Sequence, residues 1–268
     1  MHLLYCDETN LEKRDDDFFV YGGLVMSSDS AVALNNEIEK IRSTAQIPAD
    51  FPLKFNPGPS FLDHAAFSAV KQRVIEAAIQ ANCILFTTMI LHNIATSSDD
   101  ARRNAINQLS YNFNDFLSCS KDYGLVLIDR FTDAQIDSHL REKFSIGITG
   151  LPYSPRVRLR RILGFHYAAI GQSHFGSVID IVLGTLRFSV NAFCRNDLEK
   201  MARSRHLLAM LAPLLQKIPD VGERGPLTTK LSLDFTPKTI KAPMYKQRYE
   251  ALRNYLAQNG IIAEQVIR

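Results

Sequence analysis

The chain reads as an α/β protein with a mostly central sheet flanked by helices. Three observations carry that reading. Short apolar, β-branched runs alternate with stretches whose apolar residues recur at helical spacing. Strands and helices follow one another in the middle of the chain, as in layered α/β proteins. The composition, 46% hydrophobic and 22% charged over 268 residues, is that of a globular chain long enough for one large domain.

Residues 2–6 form a first strand, which runs into Asp7-Glu8 and then Thr9-Asn10. Asp15, Asp16 and Asp17 mark an exposed connection. Residues 18–26 form a second strand, whose Gly22-Gly23 pair signals a bulge or a close backbone approach. Val32, Leu34, Ile38 and Ile41 predict a helix over 28–43, capped by Asp29 or Ser30. A breaker-rich loop from Pro48 to Pro59 surrounds Leu53-Lys54-Phe55-Asn56. A helix over 63–82, a buried strand over 83–91, a helix over 99–118, a strand over 123–128 ending on Asp129, and a helix over 133–144 follow.

Next, Arg156-Val157-Arg158-Leu159-Arg160 alternates basic and apolar residues. On a strand this puts Arg156, Arg158 and Arg160 on one face and Val157 and Leu159 on the other. An apolar helix over 176–193, a longer helix over 198–218, a loop over 222–226, a strand over 230–235, a helix over 243–258 and a short terminal strand over 261–266 complete the chain. There is no internal repeat. Residues 1–195 are expected to form the core, and 196–268 a helical and βα extension packed on it.

Several function classes lack support. Cys6, Cys83, Cys119 and Cys194 form no CxxC pair, and no HxxxH spacing occurs among the seven histidines, so a zinc site is not expected. His166 reads as a core histidine or a proton shuttle. No Walker A loop, GxGxxG or GxSxG is present. No stretch reaches the roughly 18 uninterrupted apolar residues of a membrane span, and no signal peptide is visible. A cytoplasmic protein without a membrane partner is therefore expected. A net charge of +3 is too small to diagnose nucleic-acid binding.

The acids carry the chemistry. Asp7 and Glu8 end an apolar strand, where two adjacent carboxylates need a cation, a proton or a basic partner. Magnesium or manganese suits such hard oxygens; a turn capped by Asp7 is the competing reading. If the strand persists, Glu8 points away from Asp7. Asp129 repeats the pattern at the end of 125–128, in the place where neighbouring parallel strands form sites, or as a turn residue. Asp180 stands in Val178-Ile179-Asp180-Ile181-Val182-Leu183, where an unpaired carboxylate is costly. Asp180, Gly184, Arg187 and Asn191 share one helical face, either a wet outer face or one that Gly184 opens to close approach. Lys54 could touch a phosphate or lie solvated in its loop. The arginines at 156, 158 and 160, with Arg187, could track a phosphate backbone, or the three could protect a sheet edge. The basic tail of Lys238, Lys241, Lys246 and Arg248 reads as a solvated face.

Tyr5-Cys6-Asp7-Glu8-Thr9, Phe18-Phe19-Val20-Tyr21-Gly22-Gly23, Leu53-Lys54-Phe55, Leu127-Ile128-Asp129 and Ser177-Val178-Ile179-Asp180 follow in an order that resembles the domain of unknown function 3800 family. The likeness spans residues 1–195. It implies a ribonuclease H-like mixed sheet, with one acid on the first strand, one at the end of the fourth and one on a late helix. It also implies a Mg2+- or Mn2+-dependent phosphodiesterase, a nuclease, with Asp7, Asp129 and Asp180 as metal ligands, Glu8 as a further ligand and Lys54 on the phosphate. The chain departs from the family pattern in Ser177 for glutamine, Thr9-Asn10 for Ser-Gly, and Pro52 where many relatives carry an acid. The alternatives are a non-catalytic module binding nucleic acid or protein, in a defence or mobile-element setting, and an enzyme acting on a small nucleotide.

Overall fold

A computed structural model describes residues 1–151, 154–169, 171–219 and 225–268. Its first half comprises β1 (His2–Thr9), β2 (Phe18–Ser27), α1 (Ser28–Thr44), α2 (His64–Gln80), β3 (Ile84–Leu91), α3 (Ser98–Cys119), β4 (Gly124–Asp129) and α4 (Ile136–Ser145). A hairpin of β5 (Ile148–Leu151) and β6 (Ser154–Val157) leads into β7 (Ile162–Ala168) and α5 (His174–Cys194). Next come α6 (Leu198–Leu211), the short pair β8 (Lys217–Ile218) and β9 (Leu227–Thr228), then β10 (Leu233–Thr236) and α7 (Pro243–Gln258).

Six strands form the central sheet in the order β10-β3-β2-β1-β4-β7. β2 runs antiparallel to both neighbours, while β1, β4 and β7 are parallel, as are β3 and β10. The carboxyl ends of β1, β4 and β7 therefore lie along one edge. Side-chain alternation sorts the two faces. Tyr5, Phe18 and Val20 pack under α1, α2, α5, α6 and α7; Leu4, Cys6 and Phe19 pack under α3 and α4. α5 lies at the centre of the first layer, with Val178, Ile179, Ile181 and Val182 fully buried. Gly22 makes that packing possible, because a Cβ there would stand 2.6 Å from Leu183 Cδ2.

Most expected elements are present with shifted ends, and several expectations are corrected. β1 continues through Asp7, Glu8 and Thr9. The cap of α1 is Ser27, whose Oγ accepts from Ser30 N at 3.1 Å, because the chain turns straight from β2 into the helix. Asp17 is buried, not exposed, and takes an ion pair from Arg195 at 2.7 Å. The arginine-bearing strand breaks after Val157. Leu159 is drawn into the core beneath α3 and α4, and Asn114 Oδ1 accepts from Arg161 N at 3.1 Å. The helix expected to reach 218 ends at Leu211, where Pro213 leaves a 3-10 turn over Ala212–Leu214. The expected terminal strand is reduced to one bridge between Thr228 and Ala263. Of the loop expected over 222–226, residues 222–224 lie outside the described residues.

Residues 196–268 supply the sheet's edge strand. Tyr249 of α7 donates its hydroxyl to Thr236 O at 2.6 Å and accepts from Leu91 N at 2.8 Å, which fastens β10 and β3 together.

Candidate functional site

Register brings the first two acids together. Cys6 pairs with Ile128 in the parallel β1–β4 ladder, so Asp7 and Asp129 follow at the carboxyl ends of adjacent strands. Strand alternation puts Asp7 with Tyr5, and Asp129 with Leu127, on the face covered by α5. α5 carries Asp180 over the same edge, and the loop holding Lys54 is pinned there by two contacts. Phe55 N donates to Asp180 Oδ2 at 2.5 Å, and the Phe55 ring lies so close to Gly184 that a Cβ at that position would overlap it. Gly184 therefore admits a loop of the chain itself.

The acids perturb one another. Asp7 is 8% exposed and accepts from Glu8 N at 2.7 Å, with no ion pair among the described residues. Burial first, then the charges of Asp129, Glu8 and Asp180, raise its carboxyl well above the ordinary range. Burial also raises Asp129, assisted by Asp180 and opposed by Arg130 N and the charge of Lys54. Asp180 is raised by burial against the Phe55 N hydrogen bond and the charges of Lys54 and Arg187. The phenol of Tyr5 is pushed up to about 12, by burial and then by Asp129.

Glu8 faces away from this group, as the alternation of a continuing strand requires. Arg102 of α3 pairs with it at 3.0 Å while lying 4.0 Å over the Phe131 ring. Burial outweighs that cation and raises Glu8 to about 7. Among the described residues, no group of three or more His, Cys, Asp or Glu side chains is arranged so that it could hold a metal ion. The donor chemistry of Asp7, Asp129 and Asp180 nonetheless fits a hard cation, since all three are buried or half-buried carboxylates and Asp7 has no cationic partner.

A small polar hollow of about 70 Å³ is lined by Asp7, Glu8, Asp180, Phe55, Gly184 and Arg187, and neither Asp129 nor Lys54 is among its lining residues. Beside it a larger one, about 560 Å³, takes in Asp180, Arg187, Phe188 and Asn191. Arg187, expected on the polar stripe, thus faces the acids. Asn191, on the same stripe, exchanges side-chain amide hydrogen bonds with Asn10 at 3.2 Å. Asn10 has φ +66°, the left-handed conformation that Asn and Gly tolerate, and it turns the chain directly after β1.

Arg156, Arg158 and Arg160 are exposed but lie apart from the acids. Their connection enters the amino end of β7, where Gly124 N donates to Arg161 O, at the opposite end of β4 from Asp129. His166 is exposed on β7 and does not belong to the core. Arg102 was not foreseen, having no periodic signal of its own. Phe55 and Lys71 were also missed as partners: Lys71 Nζ stands 4.4 Å from the Phe55 ring and 4.9 Å from that of Phe67. Gly184 was the available signal for Phe55. No protein-family model, curated protein or solved structure matches the chain.

Proposed function

We propose that the protein is a cytoplasmic, magnesium- or manganese-dependent phosphodiesterase of ribonuclease H-like fold, acting as a nuclease. One observation carries the reading. Three carboxylates from elements far apart in sequence lie on one face at the carboxyl edge of the sheet, near enough to raise one another, and the most buried of them has no neutralising cation. Their places, on the first strand, at the end of the fourth and on a late helix, are those implied by the resemblance to the domain of unknown function 3800 family. A mixed central sheet between helical layers supports the same fold.

Asp7, Asp129 and Asp180 would hold the cations. When bound, such ions supply an activated water and stabilise the leaving oxygen. Phe55 N fixes one oxygen of Asp180, whose side chain lines the hollow. Arg187 and Lys54 provide positive charge for a phosphate beside the carboxylates. Glu8, paired with Arg102 on the other face, acts as a support for β1. No membrane enters this reading: α5 has the length and hydropathy of a span, but 67% of that window is buried inside the protein. Labelled DNA and RNA incubated with manganese provide the test, comparing wild type with Asp7→Ala. Manganese-dependent cleavage by the wild type alone is expected; equal cleavage by both sinks the assignment.

A second reading, a non-catalytic module binding nucleic acid or protein, is favoured by Lys54, whose charge already offsets Asp129 and Asp180. Calorimetry separates the two: salt-dependent nucleic-acid binding without any heat of magnesium or manganese binding selects the module.

A further inference from the structure

Phe55 and Phe188 line two hollows at once, so the acidic site continues into a second groove. The first hollow is nearly neutral. Its cations beyond Arg187 are committed: Arg195 to Asp17 at 2.7 Å, Lys200 to Asp197 at 2.7 Å and Arg14 to Glu12 at 3.2 Å. The second hollow, about 660 Å³, lies between α2 and α6 over Thr185 and Phe188 of α5. It differs in charge. No carboxylate lines it, whereas Lys71, Arg203, His64 and His206 do, Arg203 being paired with Glu199 of its own helix, above an apolar floor that includes Ile75 and Met210. Lys71 has no ion pair among the described residues; its ammonium rests over the Phe55 and Phe67 rings. The volume lies within the roughly 300–1,000 Å³ usual for a ligand pocket.

An apolar floor with a cationic rim, opening onto carboxylates suited to phosphodiester chemistry, matches an occupant that is flat, apolar on its faces and anionic along one side. Unpaired nucleotides have that form. In a duplex the base faces are stacked and cannot enter a groove between two helices. The Phe55 ring is already packed against Gly184 and beneath Lys71, which leaves Phe188 as the stacking surface at the junction. We propose that the α2–α6 groove seats the unpaired nucleotides flanking the scissile phosphodiester, so that the substrate is single-stranded. Bases lie on Phe188 and the apolar floor, and a phosphate meets Lys71. This rests on the nuclease reading for what happens at the acids, but not for binding.

Fluorescence anisotropy in the presence of EDTA isolates binding from cleavage. The probes are a labelled oligothymidylate, a labelled oligouridylate and a blunt duplex of equal length. The single strands are expected to bind at least about tenfold more tightly than the duplex. Phe188→Ala is expected to weaken them about tenfold, within the range for one stacked base. Lys71→Gln should lower the salt slope by about 0.7, one phosphate contact on a single strand. Ala69→Glu places a carboxylate on an exposed groove position of α2 without touching the core, and should weaken binding at least tenfold. Duplex binding equal to single-strand binding, or single-strand affinity unchanged in both Phe188→Ala and Ala69→Glu, overturns the proposal. Strand binding that Ala69→Glu abolishes, with no manganese-dependent cleavage by wild type, keeps the groove and removes the nuclease reading. Cleavage that persists with binding insensitive to both variants removes the groove alone.

Discussion

At the residue scale, Asp7 combines a cost with a use. Its carboxylate is buried beside two others, and its ionised form is held without a cation. Asp7→Asn keeps the shape and removes the charge, so it is expected to stabilise the metal-free protein by roughly 1–3 kcal/mol, read as a higher unfolding temperature, while abolishing manganese-dependent cleavage. A lower unfolding temperature would show that the charge is compensated in a way the contacts do not reveal. The pH dependence follows from the same burial. Glu8 is raised from 4.5 to about 7, and Asp7, Asp129 and Asp180 are raised too. Between 4.5 and about 7 these groups therefore bind more protons in the folded state than in the unfolded one, and their contribution to stability falls as pH rises, while His92, His139 and His174, lowered by burial, act the other way. The metal-free unfolding temperature of the wild type, taken relative to that of Asp7→Asn, should therefore drop as pH rises from 4.5 to 7. Manganese competes with those protons, so its stabilising shift should be larger above pH 7 than near 4.5. The alternation of β1 made Asp7 and Glu8 legible as members of opposite faces. Arg102 was illegible, because an arginine one turn into a helix gives no sign of which strand end it will meet.

At the scale of elements, α5 and the loop before α2 form one device. Asp180 takes the Phe55 N hydrogen bond, and Gly184 one turn later makes room for the Phe55 ring. Gly184→Val would drive the ring off the helix and release Lys54 from the acids. An overpacking cost of about 1–3 kcal/mol is expected, with loss of cleavage. Asp180→Ala should lose a charge-assisted hydrogen bond worth about 1.5–3 kcal/mol, offset by relief of a buried charge, and so change stability less than Gly184→Val. Denaturant titration of the two variants gives the comparison, and equal losses would place the loop's attachment elsewhere. Helices were readable where apolar spacing and a cap coincide: Asp63 caps α2 and accepts from Ala66 N at 2.7 Å, while Pro243 opens α7. The 156–160 segment misled because alternation predicts a strand only if both faces find partners. Here Leu159 found the core two residues after the hairpin ended, so Arg156 closes the hairpin and Arg158 and Arg160 were left in a connection.

At the scale of the whole molecule, the sheet does not stop where the site does. All three acids and the resembling motifs fall within 1–195, yet β10 lies beyond that point and pairs with β3 from Leu233↔Thr87 to Thr236↔Ile90. The strand itself is legible, expected over 230–235 and found at Leu233–Thr236, but its place beside β3 is not, because the partner of an edge strand is chosen by the fold. The consequence is mechanical. Removing 196–268 would expose the β3 edge, leave Leu91 N without the Tyr249 hydroxyl, and strip Leu208, Leu252 and Leu256 from the core beneath α5. An unpaired, apolar edge such as Ile84–Leu91 is an aggregation template. Residues 1–195 alone are therefore expected to be insoluble or to lack a cooperative unfolding transition, although they contain every acid of the site. Adding residues 196–268 back as a separate chain should restore solubility only if β10 can dock from solution. A soluble, cooperatively folded 1–195 fragment that still binds manganese would show that the sheet closes without β10, and that α7 is an ornament on a self-sufficient core.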